Sequence, residues 1–382
     1  MRPPLVYALL GCAVALGWQA LTVTYNYRGD WSSLFDTGAA TAVPPQIAGE
    51  GVYRFAGSQG YDGQYYHFVA HDPLLLHGFA SYVDNPRLRW RRILVPALAF
   101  LAAGGQADRI DSAYAIVILG FLFLGIFWLS LWCSHTGLHP AWGLAFLLVP
   151  GVFVSLDRFT IDIALAALCA GLIYFAGKRS WPVFIVLALA PLARETGIIL
   201  IAAYVVWAAL RRDGRAALYA SLSVLPYAVW LPYLARHTAA DQTVFASWMP
   251  FYGLAMRTLH PFVDSVATHW LLIAAVLDYV AILGMWVAVV LAAWLVWRRS
   301  TGLPEIAAVL FTVVFVAFLS QPQAWSGAYS FARTMSPLLF FLAVVGAAAR
   351  RWVFLLPLVM AVPRLLFQLG PQWKGILHGL VH

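Results

Sequence analysis

One stretch concentrates the side chains able to do chemistry: Gly60-Tyr61-Asp62-Gly63-Gln64-Tyr65-Tyr66-His67-Phe68-Val69-Ala70-His71-Asp72-Pro73. Gly60 and Gly63 punctuate its start and the Asp72-Pro73 step ends any helix before it, so the spacing predicts a short helix opening at Asp62. On such a helix Asp62, Tyr66 and Val69 share a face. A carboxylate among aromatics at a helix start can take a proton as a general base. The same residue type there also serves as an N-cap or an Asp-Gly turn residue. His67 and His71 stand at i, i+4, the spacing of helical zinc ligands. No Glu lies between them and the sequence offers no third ligand, so no metal is expected and local hydrogen bonding is the competing reading.

Three other places carry ionisable groups next to apolar runs. Asp157, Arg158 and Asp162 lie where charge is costly unless paired or used, and Arg158 with Asp162 has the i, i+4 spacing of a helical ion pair. Arg194-Glu195 interrupts the apolar segment Trp181 to Leu210, where a guanidinium could grip a phosphate in bidentate fashion or pair with its neighbour. The run Ala324 to Arg333 sets aromatics beside a cation. Arg333 is there a candidate phosphate contact, and Trp325 reads as a member of an interfacial aromatic belt. Arg87, Arg89, Arg91 and Arg92 suit anionic headgroups or a phosphate, or snorkel from an interfacial helix.

The elements that must position these groups are membrane helices. Of 382 residues 62% are hydrophobic and 10% charged, whereas a soluble domain carries roughly a quarter charged residues. Val6 to Thr24, Ala113 to Cys133 and Leu271 to Trp297 approach or exceed the roughly 20 residues a helix needs to cross a bilayer, and lipid leaves backbone groups no partners outside the helix. The formal charge of +8 sits in short clusters between apolar runs, a pattern of topology signals rather than of a nucleic-acid surface. Cys12, Cys133 and Cys169 are embedded in apolar segments and form neither a disulfide framework nor a metal spacing. No phosphate-cradling, dinucleotide-binding or zinc motif occurs.

Arg2, Lys178-Arg179, Arg211-Arg212-Arg215, Arg298-Arg299 and Arg350-Arg351 are all cytoplasmic by the positive-inside rule. The first helix is therefore kept as a span rather than a cleaved signal, and Asn26 to Asp111 becomes a long outer loop. Within it Ile93 to Ala103 is too short to span and reads as an interfacial or re-entrant helix. Spans follow near 112–132, 141–156 and 158–176, as two halves of 181–210, then near 217–235, 271–297, 304–320, 334–349 and 352–370. Outer loops fall at 236–270 and 321–333. The expectation is one all-α transmembrane domain, 1–382, of about eleven helices, with the segment 26–111 carrying the candidate catalytic motif.

Tyr61-Asp62-Gly63-Gln64-Tyr65-Tyr66 with Ala70-His71-Asp72-Pro73, preceded by Trp31 to Gly38 and Val52-Tyr53-Arg54-Phe55, resembles a family of bacterial proteins linked to cell-surface glycopolymer formation. Tyr82 to Arg87, Arg91 to Pro96 and Leu192 to Gly197 fit the same resemblance. More distantly, an aromatic-Asp-Gly motif after the first helix is similar to that of the membrane mannosyltransferases of the GPI-anchor pathway, although Tyr61 stands where those have Trp. That likeness implies the GT-C class of glycosyltransferases, with polyprenyl-phosphate donors and a catalytic acid in the first outer loop. It implies a bacterial inner-membrane enzyme with Asp62 as base, and with no cofactor required, a divalent ion being possible but not indicated. A polyprenyl-phosphate-linked sugar donor, a glycan or lipid acceptor and membrane lipids are then the partners, and nucleic acid is not one. Candidate substrate contacts are Tyr61, Gln64, Tyr66, His71, Asp72, Arg92, Arg158, Asp162, Arg194, Glu195 and Arg333. A flippase of lipid-linked sugars is the alternative, which repeated halves and polar residues at the bilayer midplane would favour. A non-catalytic partner of a polysaccharide synthase is the third.

Overall fold

The computed structural model describes residues 3–178, 180–240, 249–260, 269–319 and 322–381. Arg2, Arg179 and the stretches 241–248, 261–268 and 320–321 of the expected span ends and loops lie outside these residues. The described chain is all-α, its β-pairing limited to an isolated bridge between Gly38 and Phe55. Among the described residues, four helices are long and apolar enough to cross a membrane: Pro3–Asn26, Ala107–His135, Gly214–His237 and His269–Trp297. Three bent pairs raise the number to seven if each is one span: Pro140–Leu148 with Pro150–Arg158 at 63°, Ala328–Thr334 with Ser336–Ala349 at 65°, and Trp352–Gln368 with Gly370–Val381 at 46°. Four more apolar helices are shorter: Asp162–Gly177, Pro182–Ala193, Glu195–Leu210 and Leu303–Val314.

Asp162–Gly177 is the centre of the bundle. It is apolar all round and buried along nearly its whole length, as a helix surrounded by other helices must be. It packs on Ile110–His135, which in turn packs on Pro3–Asn26. His269–Trp297 lies against Leu356–Gln368, and Leu303–Phe311 against Ser336–Ala349. The final helix, Gly370–Val381, returns to the first. Asn26 Nδ2 donates to the Gln372 carbonyl at 3.2 Å, and the Trp18 and Trp373 rings lie 4.9 Å apart.

Several basic positions between helices share one end of the bundle. Arg350 donates to the Gly137 carbonyl at 3.0 Å, and Arg298 and Arg351 both stand over the Trp294 ring. At the opposite end of Ile110–His135 lies the long segment between the first two spans. It holds the short helices Pro45–Ala48, Asp62–His71, Pro86–Arg91 and Leu94–Ala102. The helix expected at Asp62 begins there, and the short apolar helix expected over 93–103 is Leu94–Ala102.

Candidate functional site

Helix Asp62–His71 is held by close backbone approaches that only glycine permits. A Cβ on Gly63 would fall 2.2 Å from the Arg158 carbonyl oxygen and 2.8 Å from that of Phe35. Gly60 has φ +77°, and a Cβ there would meet the Gly38 nitrogen at 2.5 Å. Gln64 pins the preceding loop to the helix: its Oε1 accepts from Gly38 N at 3.1 Å and its Nε2 donates to Gln59 O at 2.9 Å. At 1% exposure it is a loop clasp, with no face turned to a substrate.

Tyr61 is the residue that precedes the helix, and Asp62 is its first member and caps no amide. The N-cap alternative therefore does not describe Asp62. Its carboxylate lies between two guanidinium groups, with Oδ1 accepting from Arg89 Nη2 at 2.9 Å and Oδ2 from Arg333 Nη2 at 2.6 Å. Burial alone would push this carboxyl up, but Arg89 and Arg333 outweigh it and hold Asp62 well below the usual carboxylate range. The side chain keeps 22% of its surface exposed, so the pair is reachable from outside the bundle.

The network continues inward through well-buried arginines. Arg333 lies 5.0 Å from the Tyr61 ring centre and 3.6 Å from an Asp162 oxygen. Asp162 accepts from Arg194, whose other terminal nitrogen lies 3.3 Å from Thr334 Oγ1. Arg89 also grips Asp84 through two bonds of 2.9 and 2.8 Å. The Tyr66 hydroxyl accepts from Arg92 at 2.9 Å and lies 3.4 Å from Arg89 Nη1. Arg92 makes a bidentate pair with Glu195 at 2.8 and 2.7 Å. The Nη1 of Arg333 is buried and makes no hydrogen bond among the described residues.

Two expected ion pairs are replaced. Arg158 and Asp162 do not meet, because the helix stops at Arg158, Phe159 turns into the left-handed region at φ +42°, and a new helix starts at Asp162. Arg158 instead holds Asp36 at 2.5 Å and Asp157 at 3.0 Å. Asp157 also accepts from Tyr329 at 2.5 Å and Gln372 at 2.6 Å. This second cluster touches the first through the Tyr61 and Tyr329 rings, 5.8 Å apart. Arg194 and Glu195 do not pair with each other, because Arg194 is extended between two helices and the two side chains reach different partners, Asp162 and Arg92.

Asp72 stands ten residues along from Asp62, at the far end of its helix. Its carboxylate accepts from the amides of Leu76 at 2.7 Å and His77 at 3.0 Å, closing a turn. Trp325 is no belt residue: it is 1% exposed and its indole donates to Leu319 O at 2.8 Å. His71 joins His67, Glu50 and Asp111 in a cluster whose ligand atoms lie within 4.8 Å of one another. Sequence reading missed Glu50 and Asp111 because they stand far from the histidines in the chain. It also left Asp84, Asp36, Tyr329 and Gln372 without roles, since no local spacing connects them to the site.

An apolar pocket lined by Trp132, Phe146, Phe340 and Trp352 lies near the basic end of the bundle, and no residue of the Asp62 network lines it. It offers no polar chemistry. Compared with known proteins, the chain matches no family model, no curated protein and no solved structure.

Proposed function

We propose that this protein is a GT-C-like membrane glycosyltransferase that moves a sugar from a polyprenyl-phosphate donor to a cell-surface glycan or lipid acceptor, on the outer face of the bacterial inner membrane. The observation that carries this reading is the partly exposed carboxylate of Asp62 held between Arg89 and Arg333 at the mouth of a buried polar network. Such a network at one end of an apolar bundle is costly to bury and calls for a use. Taking the four shorter apolar helices as spans beside the seven gives eleven. With the basic ends cytoplasmic by the positive-inside rule, Asp62 then faces outward.

The reaction follows from the charges. The acceptor hydroxyl oxygen attacks the anomeric carbon as the bond from that carbon to the phosphate oxygen breaks. The electron pair leaves with the phosphate and the hydroxyl proton passes to Asp62, inverting the anomeric centre. A carboxylate clamped by two guanidinium groups is a weak base, so donor binding must first relieve it. The donor phosphate offers Arg333 and Arg89 a competing anion, and the Nη1 of Arg333, which bonds none of the described residues, is the first donor for it. As the arginines turn to phosphate, Asp62 regains proton affinity. The lipid-linked sugar is already activated, so no nucleotide-binding loop is needed.

The test is transfer of labelled sugar from a polyprenyl-phosphate donor by purified protein. Asp62→Asn should lower turnover by roughly 10²- to 10⁴-fold while the protein stays folded and still binds donor. Turnover equal to the parent would remove Asp62 from the chemistry. Movement of lipid-linked sugar across sealed vesicles without any transfer would replace the enzyme with a flippase.

A further inference from the structure

We propose that Glu50, His67, His71 and Asp111 form a structural site for a divalent first-row transition metal, zinc fitting best, which clasps the long first loop to the second membrane helix. Each residue offers one ligand atom, and all four atoms lie within 4.8 Å of one another. His67 Nε2 is 2.6 Å from Asp111 Oδ1 and 3.1 Å from His71 Nε2, while Glu50 Oε1 lies 3.7 Å from the other ring nitrogen of His71, Nδ1, and must swing toward the Nε2 side to bind the same ion. Two ligands of a tetrahedral zinc ion, each bonded at about 2.05 Å, stand about 3.3 Å apart. The imidazole nitrogens already hold nearly that separation. The His67–Asp111 contact must open by some tenths of an ångström as the ion enters.

Proton counting points the same way. A proton on His67 Nε2 can point at Asp111 or at His71, and His71 Nε2 turns toward the same atom. One cation accepts the lone pairs of both rings and of the carboxylates together. The rings are preset for it: His67 is fully buried and stacks on Phe35 with centroids 4.0 Å apart, and His71 lies nearly parallel to the Phe79 ring with centroids 6.3 Å apart. Imidazole favours zinc or iron over magnesium and calcium, and the carboxylates also suit manganese.

Four protein donors close the coordination sphere, which is the pattern of structural rather than catalytic zinc. His67 also lies about 7.5 Å along the helix from Asp62 and roughly 140° round it, facing away from the arginine network. The ligands come from the loop after Pro45–Ala48, from helix Asp62–His71 and from the start of helix Ile110–His135. The ion would fix the helix that carries Asp62, whatever reaction occurs there.

The full-length protein in detergent, exposed to zinc sulfate and desalted, is analysed for metal content and melting temperature. One zinc ion per chain is expected, with a melting temperature that falls on chelation and recovers with zinc. Loss of an outer partner of a zinc ligand costs about 10- to 100-fold in affinity, so losing a ligand should cost at least that. His71→Asn and the partly exposed Glu50→Gln should therefore weaken zinc binding by at least about tenfold while eluting as folded protein. Retention of manganese or iron in place of zinc, with the same dependence on these residues, supports the same site. A parent protein that keeps no metal and melts unchanged with chelator overturns the proposal, as do variants that bind zinc as the parent does.

Discussion

Asp62 illustrates how far a residue type and its position determine behaviour, and how much its partners add. The run from Gly60 to Pro73 predicts a carboxylate at a helix start, and one is found there. Its proton affinity depends on Arg89 and Arg333, the latter 271 positions away in the chain. Because the folded carboxyl sits below its unfolded value of about 3.9, the ion pairs stabilise the protein fully above that pH and lose their contribution as pH falls below it. The melting-temperature gap between the parent and Asp62→Asn should therefore stay constant from about pH 8 to about pH 5 and narrow below about pH 4. A gap that already closes near pH 6 would show that the arginines do not hold Asp62 in solution. Of the sequence candidates, Arg333, Arg194, Asp162, Arg92, Glu195, Tyr61 and Tyr66 join Asp62 in one network, whereas Gln64 and Asp72 clasp backbone instead.

At the scale of elements, punctuation was readable and pairing was not. Pro73 after Asp72, and the polar break at Arg194 in an apolar run, each mark a boundary that the chain respects. The i, i+4 rule failed for Arg158 and Asp162 because it assumes a continuous helix, and Phe159 breaks that helix between them. The tight seat of helix Asp62–His71 rests on Gly63, whose missing side chain lets it touch the carbonyls of Arg158 and Phe35. Both obstacles are backbone, so no rotamer change can make room. Gly63→Ala should destabilise the protein by about 1–3 kcal/mol, as overpacking does, and should weaken the proposed sugar transfer by shifting Asp62 off its arginines. Thermal unfolding and turnover measured on one preparation check both halves. An unchanged melting temperature would mean that the helix is free to move.

For the whole molecule, the alternation of basic clusters with apolar runs predicts which end faces the cytoplasm. His77 is well exposed on the loop that carries the site, and Arg212 lies beyond the end of helix Ile198–Leu210 at a basic turn. In intact cells His77→Cys should react with a membrane-impermeant thiol reagent, whereas Arg212→Cys should react only after permeabilisation. The native Cys133 and Cys169 are buried and Cys12 half-buried, so background labelling should be low. The reverse pattern would invert the topology and remove the outward-facing site. The sequence by itself determined the solvent and the secondary structure: an apolar run can satisfy its backbone in lipid only as a helix, and this follows from composition and local spacing. Which charges meet was decided by the tertiary structure alone. Asp62 with Arg333, Arg92 with Glu195, and the histidines with Glu50 and Asp111 are joined by packing of distant helices. Those charges have no period along the chain, and a buried ion accepts whichever partner the bundle brings within a few ångströms.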